Sequence, residues 1–224
     1  HTVTRRQRQM CIRDRYYTGY SLGGNRGPSL LGLSPDVNRG ALWVGGAAFS
    51  HQIERCTQYD QFDDLMESVI GYPSQLDRAV VISLIQSLWD ATDTNTWTTL
   101  SEGWGDRVQP FEMIYIGSIG DLQISNISTS RALRNADASI LSSSSIHPYG
   151  LPITEGGEGT TGNVGVYFDG GFSHAPEQNL LGQEPHPAHN WVAGVDAAHQ
   201  MAFEYLFNGY VVDRCDGSCI YDAA

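Results

Sequence analysis

The sequence predicts an α/β fold in which a mostly parallel sheet is flanked by helices. The chain has 224 residues, 41% of them hydrophobic, which is enough for one domain with a sizeable core. Two strand–loop–helix units stand out, one over residues 16–33 and one over residues 111–138. Alternation of strands and helices is typical of parallel sheets, because neighbouring parallel strands need a long, usually helical, crossover.

Hydrophobic spacing gives the expected elements in order. The strands are Tyr16–Gly19, Gly40–Gly45, Phe111–Gly117 and Val164–Phe168. The helices are Leu22–Leu33, Asp60–Ile70, Ser74–Trp89, Asn126–Ala138 and Trp191–Asn208. Residues 92–105, 139–162 and 170–190 are predicted to be loops because they are rich in small and polar residues.

The helix over Ser74–Trp89 has the clearest sequence signals. Ser74 and Asp77 form a capping box, and an apolar residue recurs along one face. The residues of that face are Leu76, Val80, Leu84 and Leu88.

The charge of the chain limits its partners. The formal net charge is −12, and all 13 basic residues are arginine. Such a balance excludes nucleic acid and anionic membranes as main partners. No apolar run approaches the length of about 18 residues that a membrane span needs, so no stable span is expected.

The first 15 residues differ from the rest of the chain. They carry five of the 13 arginines and one of the 25 acidic residues. No apolar segment follows them, so they do not form a signal peptide. Because the string HTVTRRQRQMCIRDR resembles translated sequencing-adapter sequence, we expect residues 1–15 to be a non-native or disordered tail.

A G-x-S-x-G pentapeptide runs from Gly19 to Gly23, with Ser21 at its centre and a further glycine at position 24. Between a strand and a helix, this motif forms a nucleophile elbow, a turn so tight that its flanking positions favour glycine. Ser21 is therefore the candidate nucleophile.

An activated serine needs a base and an acid that orients the base. Asp121 follows the strand Phe111–Gly117, where ligand sites of parallel sheets form; Asp106 is a rival but precedes that strand. His189, immediately before the last helix, is the candidate base.

Other histidines remain open as the base. His186 is the main alternative to His189, and His174 is a weaker one. His186 and His189 with Glu184 also suggest a metal site, but their spacing across two prolines is nonspecific, so no metal and no cofactor are expected.

Motif, element order and the order Ser21, Asp121, His189 together resemble the α/β-hydrolase superfamily over residues 16–209. The resemblance implies that the Leu22 N–H donates one oxyanion hydrogen bond. It also implies that the chain holds the C-terminal part of that fold. The early strands, the loop with the second oxyanion donor and the cover of one sheet edge would then be missing.

The resemblance also implies a function. We expect a serine hydrolase that cleaves a carboxylic ester, with a small-molecule or lipid ester as substrate. A peptidase, a polyester depolymerase or an acyltransferase of the same fold would use the same triad. A non-catalytic, hydrolase-like binding protein is the alternative of a different class.

The segment around residues 50–105 offers two interpretations. Phe62, Leu65 and Met66 belong either to a helical lid over the active site or, as their spacing more often indicates, to the core. The same choice applies to four aromatic residues that suit either an acyl pocket or the core, namely Trp43, Phe49, Trp89 and Trp104.

The last segment, residues 210–224, is expected to be a tail that carries Cys215 and Cys219. We predict a local disulfide between them, because a zinc site would need two more ligands and none lies nearby. A disulfide and a similarity to bacterial serine hydrolases ending in C-x-x-x-C suggest a secreted or cell-envelope location. Cys56 is predicted to be a small buried side chain.

Overall fold

A computed structural model describes residues 15–173 and 187–222. These residues form a sheet of six strands, all parallel, in the order β1-β2-β3-β6-β4-β5. The strands are β1 (Tyr17–Tyr20), β2 (Arg39–Trp43), β3 (Glu112–Ser118), β4 (Ser139–Leu141), β5 (Ile153–Thr154) and β6 (Val164–Phe168). The predicted α/β class is therefore confirmed.

Eight α-helices connect and flank these strands within the described residues. They are α1 (Leu22–Leu33), α2 (Phe49–Ile53), α3 (Tyr59–Leu65), α4 (Gln75–Trp89), α5 (Thr94–Thr98), α6 (Asn126–Asn135), α7 (Ala188–Trp191) and α8 (Asp196–Asn208). A π-helical turn, Met66–Ile70, continues α3, and a 3₁₀ turn, Val192–Gly194, joins α7 to α8.

The core lies on both faces of the sheet, because successive strand residues point to opposite sides. On one face, Ala41 and Trp43 pack with Met201 and Tyr205 of α8. On the other face, Leu42 packs in a cluster with residues of α1 and α6, including Leu31 and Leu133. All the inner strands are thus covered by helices on both sides, as expected for a parallel sheet.

The prediction of loops over residues 139–162 was wrong. This stretch contains β4 and β5, which have only three and two residues. Ile140 and Leu141 are fully buried, and β4 is held in the sheet by pairing with β6. The predicted loop at 92–105 likewise contains α5, which Asp93 caps by accepting a hydrogen bond from the Asn95 N–H at 2.7 Å.

Helix α4 forms where predicted, and Ser74 caps it by accepting a hydrogen bond from the Asp77 N–H. Its apolar face, however, is exposed to solvent. Leu76, Val80, Leu84 and Leu88 have exposed fractions of 73%, 51%, 70% and 78%.

The buried side of α4 carries Arg78 and Ile82 instead. Arg78 is only 5% exposed. Its guanidinium donates to Asp63 and to the carbonyls of Tyr72 and Pro73. A charged network thus holds α4 against α3, because the arginine reaches a carboxylate and two carbonyls that would otherwise lack these donors.

The C-terminal segment packs into the body of the protein. Val211 and Cys219 are fully buried; the Cys219 N–H donates to the Ser143 carbonyl, and the Cys219 carbonyl accepts from the Asp169 N–H. The predicted disulfide between Cys215 and Cys219 is confirmed. Cys56 is a buried free cysteine, also as predicted.

None of the helices in the described part of the chain combines the length and apolar character needed to cross a bilayer.

Candidate active site

Ser21 lies on a strained turn between β1 and α1. Its φ of 54° and ψ of −116° place it in the left-handed half of conformational space, which costs a non-glycine residue about 1–3 kcal/mol. The Ser21 N–H donates to the Trp43 carbonyl of β2, and its own carbonyl accepts the first bond of α1 from the Asn25 N–H, both at 2.9 Å. The turn therefore presents the Ser21 side chain at the carboxyl edge of the sheet.

Two glycines make this turn sterically feasible. A Cβ at Gly19 would lie 2.4 Å from the Gly23 carbonyl oxygen, and one at Gly24 would lie 2.6 Å from the Trp43 carbonyl oxygen. A Cβ at Gly23 would meet only the Tyr17 hydroxyl, at an ordinary 3.4 Å. The flanking glycine that the elbow needs on its helical side is thus Gly24, one position beyond the pentapeptide.

The structure brings Ser21, His189 and Asp121 into one hydrogen-bonded chain. The Nε2 atom of His189 lies 2.9 Å from the Ser21 Oγ, and its Nδ1 lies 2.8 Å from the Asp121 Oδ2. His189 is 3% exposed and Asp121 is 1% exposed, whereas Ser21 is partly accessible. A buried acid and base behind an accessible hydroxyl is the geometry that activates a serine.

The loop after β3 fixes the Asp121 carboxylate. Its Oδ1 accepts hydrogen bonds from the N–H groups of Gln123 at 2.8 Å and Ile124 at 3.0 Å. The Asn126 side chain donates to the Ser118 carbonyl at 2.7 Å and accepts from the Gly120 N–H at 3.2 Å. Both carboxylate oxygens therefore have defined and different partners.

Tyr20 also holds His189 in place. Its hydroxyl donates a hydrogen bond to the backbone carbonyl of His189, and the two rings pack edge to face at 5.6 Å. Burial, and secondarily the nearby Asp121 charge, raises the pKa of the Tyr20 hydroxyl to about 12. Tyr20 therefore remains a donor throughout the physiological pH range.

A cleft of about 250 Å³ opens beside Ser21. Its walls, as far as residues 15–173 and 187–222 form them, are apolar side chains, neutral amides, a hydroxyl and a thiol, without a carboxylate, an arginine or a histidine. They come from Ser21, Leu22, Asn25, Phe49, Gln52, Ile53, Cys56, Gln58, Phe62, Gln123 and Ile124. Burial raises the pKa of the Cys56 thiol, so this side chain is also uncharged at neutral pH.

A chain of amides orients Gln52 in this cleft. The Gly46 N–H donates to the Asn25 Oδ1 at 2.6 Å, which directs the Asn25 Nδ2 to the Gln52 Oε1 at 3.4 Å. Sequence analysis did not identify Asn25 or Gln52. The available signal was the position of Asn25 one helical turn after Ser21, on the same side of α1.

The other candidate residues divide into three groups. Asp106 is exposed on a turn before β3, while His174, His186 and Glu184 lie outside the described residues. Leu22 begins α1, where its N–H has no acceptor within the helix.

The residues that were predicted to belong either to a lid or to the core have different environments in the structure. Met66 is buried, as the core interpretation predicts, but Phe62 is 45% exposed and lines the cleft; Leu65 is 46% exposed. Phe49 lines the cleft and packs edge to face on Trp89.

The remaining two aromatic candidates lie elsewhere. Trp43 belongs to the core, and Trp104 is 59% exposed.

The ligand-type side chains that cluster in the described residues outside this site are Asp213, Cys215 and Cys219, within 4.8 Å of one another. Since the two sulfur atoms are bonded to each other, neither is available as a thiolate ligand in this state.

Comparison with known proteins finds no matching family model, no matching curated protein and no matching solved structure.

Proposed function

We propose that this protein is a serine hydrolase of the α/β-hydrolase kind that cleaves carboxylic esters. The observation that carries the proposal is the continuous hydrogen-bonded chain from Ser21 through His189 to Asp121, with Ser21 on a strained strand-to-helix turn. A structural serine has no need of a buried histidine–carboxylate pair, and strain of this kind accumulates at functional sites.

In the proposed mechanism, the Ser21 Oγ attacks the ester carbonyl while its proton passes to the His189 Nε2. The Asp121 Oδ2 accepts the Nδ1–H, which selects the reactive tautomer and stabilises the imidazolium. The Leu22 N–H, at the positive end of α1, donates to the oxyanion of the tetrahedral intermediate.

The intermediate collapses when the carbon–oxygen bond to the leaving alcohol breaks and His189 returns the proton to that oxygen. A water molecule then attacks the acyl-enzyme, again giving a proton to His189. Release of the carboxylic acid restores the Ser21 hydroxyl, so protons and bonds balance over the cycle.

The character of the cleft supports a neutral ester with an apolar acyl group. Phe49, Ile53 and Ile124 provide apolar walls, while Gln52 and Gln58 provide amides that hydrogen-bond without adding charge. A charged acyl group would leave water for a cleft whose described lining residues carry no opposite charge.

The disulfide supports a location in an oxidising compartment, such as the cell envelope or the exterior of the cell. Isolation of the protein from its source cells with both Cys215 and Cys219 as free thiols would contradict this location.

The proposed function is tested with a short-chain nitrophenyl ester and with a fluorophosphonate probe that labels activated serines. We expect Ser21→Ala to lower the hydrolysis rate by about a thousandfold or more and to abolish labelling at position 21. Ser29→Ala is the matched control, because Ser29 lies on the same helix and donates only to the Arg26 carbonyl. A folded Ser21→Ala variant with the wild-type rate would refute the proposal.

A further inference from the structure

A second and larger cleft lies on the other side of helix α2 from Ser21. It has a volume of about 530 Å³. Its lining shares no residue with the cleft at Ser21 and consists of Ala47, His51, Glu54, Arg55, Ile127, Ser128, Arg131 and Arg134. Neighbouring residues of one short segment thus line two different clefts, Gln52 the cleft at Ser21 and His51 the second cleft.

The charge of this second cleft is opposite to that of the protein. The net charge of the chain is −12, and only nine arginines lie between residues 15 and 214. Three of these nine, Arg55, Arg131 and Arg134, line the second cleft, against the single carboxylate of Glu54. With His51 neutral, the described residues of the lining have an excess of two positive charges.

These three arginines are not used in ion pairs within the described part of the chain. The arginines that do form ion pairs there are Arg39, Arg78 and Arg214. Clustering unpaired guanidinium groups costs Coulomb energy, and in an acidic protein many carboxylates could have been placed nearby instead.

Neighbouring groups hold two of the guanidiniums in place and leave donors available. Arg131 and Arg134 are three residues apart on α6, so they extend from the same face of the helix. Arg131 donates from Nε to the Asn95 Oδ1 at 3.2 Å, and Arg134 donates from Nε to the Tyr149 carbonyl at 2.9 Å. In both cases the Nη2 group makes no hydrogen bond within residues 15–173 and 187–222, so it can donate to a ligand.

His51 adapts to this cluster by staying neutral. Its Nδ1 lies 2.9 Å from the Arg131 Nη1, which can only donate, so the ring nitrogen accepts. Partial burial, followed by the charges of Arg131 and Arg55, lowers the pKa of His51 below its usual value. The imidazole therefore positions Arg131 without adding to the repulsion.

We propose that this cleft is a binding site for a phosphate group, either free or as a monoester. A phosphate dianion matches both the excess of two positive charges and the several N–H donors that three guanidiniums supply. A carboxylate carries half that charge and offers two acceptor oxygens, so it fits less well. The site is separate from the proposed hydrolase activity and does not depend on it.

The test is calorimetric titration of the intact protein with inorganic phosphate and with glycerol phosphate at pH 8, where phosphate is mainly a dianion. Sodium chloride keeps the ionic strength constant. We expect saturable binding of at least one of the two, and binding about tenfold weaker or more in Arg131→Gln and in Arg55→Gln. Arg55 makes no side-chain hydrogen bond within the described residues, so its replacement should leave the fold intact.

Arg107→Gln is the matched control, because it removes the same charge from an exposed arginine that lies over the Trp104 ring. Its phosphate affinity should equal that of the wild type. The proposal is overturned if neither phosphate compound binds the wild-type protein, if acetate binds as tightly as phosphate, or if Arg107→Gln weakens binding as much as Arg55→Gln.

Discussion

At the scale of single residues, the two oxygens of Asp121 have separate functions. The Oδ1 accepts two backbone N–H groups, and the Oδ2 faces the His189 Nδ1. An asparagine at this position would keep its carbonyl oxygen on the backbone donors and would direct its NH₂ group at Nδ1. The histidine would then carry its proton on Nε2 and could not accept the proton of Ser21.

We therefore expect Asp121→Asn to lower kcat for a nitrophenyl ester by about a thousandfold or more, with little change in KM. Steady-state kinetics measures both quantities. Asp106→Asn is the control, since this exposed rival acid should be dispensable. Activity of Asp121→Asn within tenfold of the wild type would show that Asp121 does not set the tautomer of His189.

The lowered pKa of His51 predicts a dependence of stability on pH. In the unfolded chain this histidine takes up a proton near pH 6.5, whereas the folded protein resists protonation because of partial burial and the charges of Arg131 and Arg55. The unfolded state then binds more protons just below pH 6.5, so the contribution of His51 is complete above that pH and declines as the pH falls.

We expect the melting temperature of the wild type relative to His51→Gln to decrease gradually from pH 7.5 to pH 5. The effect should be small, since the side chain is largely exposed. Parallel thermal scans of both proteins measure it. A difference that stays constant or grows toward acid pH would contradict the assigned direction.

The proximity of Ser21, Asp121 and His189 was easier to predict from the sequence than the residues that support them. Ser21, Asp121 and His189 follow predicted strands or precede a predicted helix, and positions at strand ends converge in a parallel sheet. Tyr20, Asn25 and Gln52 act through contacts with residues distant in the sequence, such as His189 and Gly46. No local pattern contains such contacts.

At the scale of elements, the apolar face of α4 does not decide which side of the helix packs against the rest of the protein. Four aliphatic residues face solvent, while the helix packs through Arg78 and Ile82. Apolar periodicity predicted that this segment is helical, but it could not reveal which neighbour, if any, covers the apolar side. Arg78 binds Asp63 of α3 and the carbonyls of Tyr72 and Pro73 in the turn before α4, and apolar periodicity does not predict such polar contacts.

We expect the double substitution Leu84→Gln and Leu88→Gln to change the free energy of unfolding by less than about 1 kcal/mol, because these side chains are 70% and 78% exposed. Ile82→Ala, at a site that is 3% exposed, should cost about 2–5 kcal/mol. Urea denaturation compares the two. A double variant that is as destabilised as Ile82→Ala would mean that the apolar face is covered in the folded protein.

At the scale of the whole molecule, the C-terminal segment packs against the loop that follows β6. Cys219 lies in the core, and its backbone bonds to Ser143 and Asp169 connect two loops at the carboxyl edge of the sheet. The disulfide to Cys215 constrains this segment. Sequence analysis placed the bridge correctly but expected a tail, since a short polar segment gives no indication of the surface on which it will pack.

We expect replacement of both Cys215 and Cys219 by serine to cost about 2 kcal/mol from the lost constraint alone, and more from the buried hydroxyl at position 219. A loss of about 4–8 °C in melting temperature corresponds to the first of these terms for a chain of this size. Differential scanning calorimetry of the wild type with and without a reductant gives an independent measurement. An unchanged melting temperature on reduction would exclude a stabilising role for the bridge.

The sequence was sufficient to predict a parallel sheet, but not the order of the strands within it. Alternating strands and helices indicated parallel strands, and the four predicted strands lie within about two residues of β1, β2, β3 and β6. The position of β6 between β3 and β4 depends on a crossover through a serine-rich stretch without strong periodicity. β4 and β5 are too short to be recognised before β6 provides their partner.

The place of β1 at one edge of the sheet affects how firmly the proposed active site is held together. Among residues 15–173 and 187–222, β1 pairs only with β2, whereas Asp121 follows β3 near the centre of the sheet. Strands at an edge generally open more readily than central strands, by partial unfolding that leaves the core intact. The hydrogen bonds from Ser21 through His189 to Asp121 thus link the end of an edge strand to the loop after a central strand. Fraying of the four residues of β1 would separate Ser21, the proposed nucleophile, from His189, the proposed base, while the central strands stay paired.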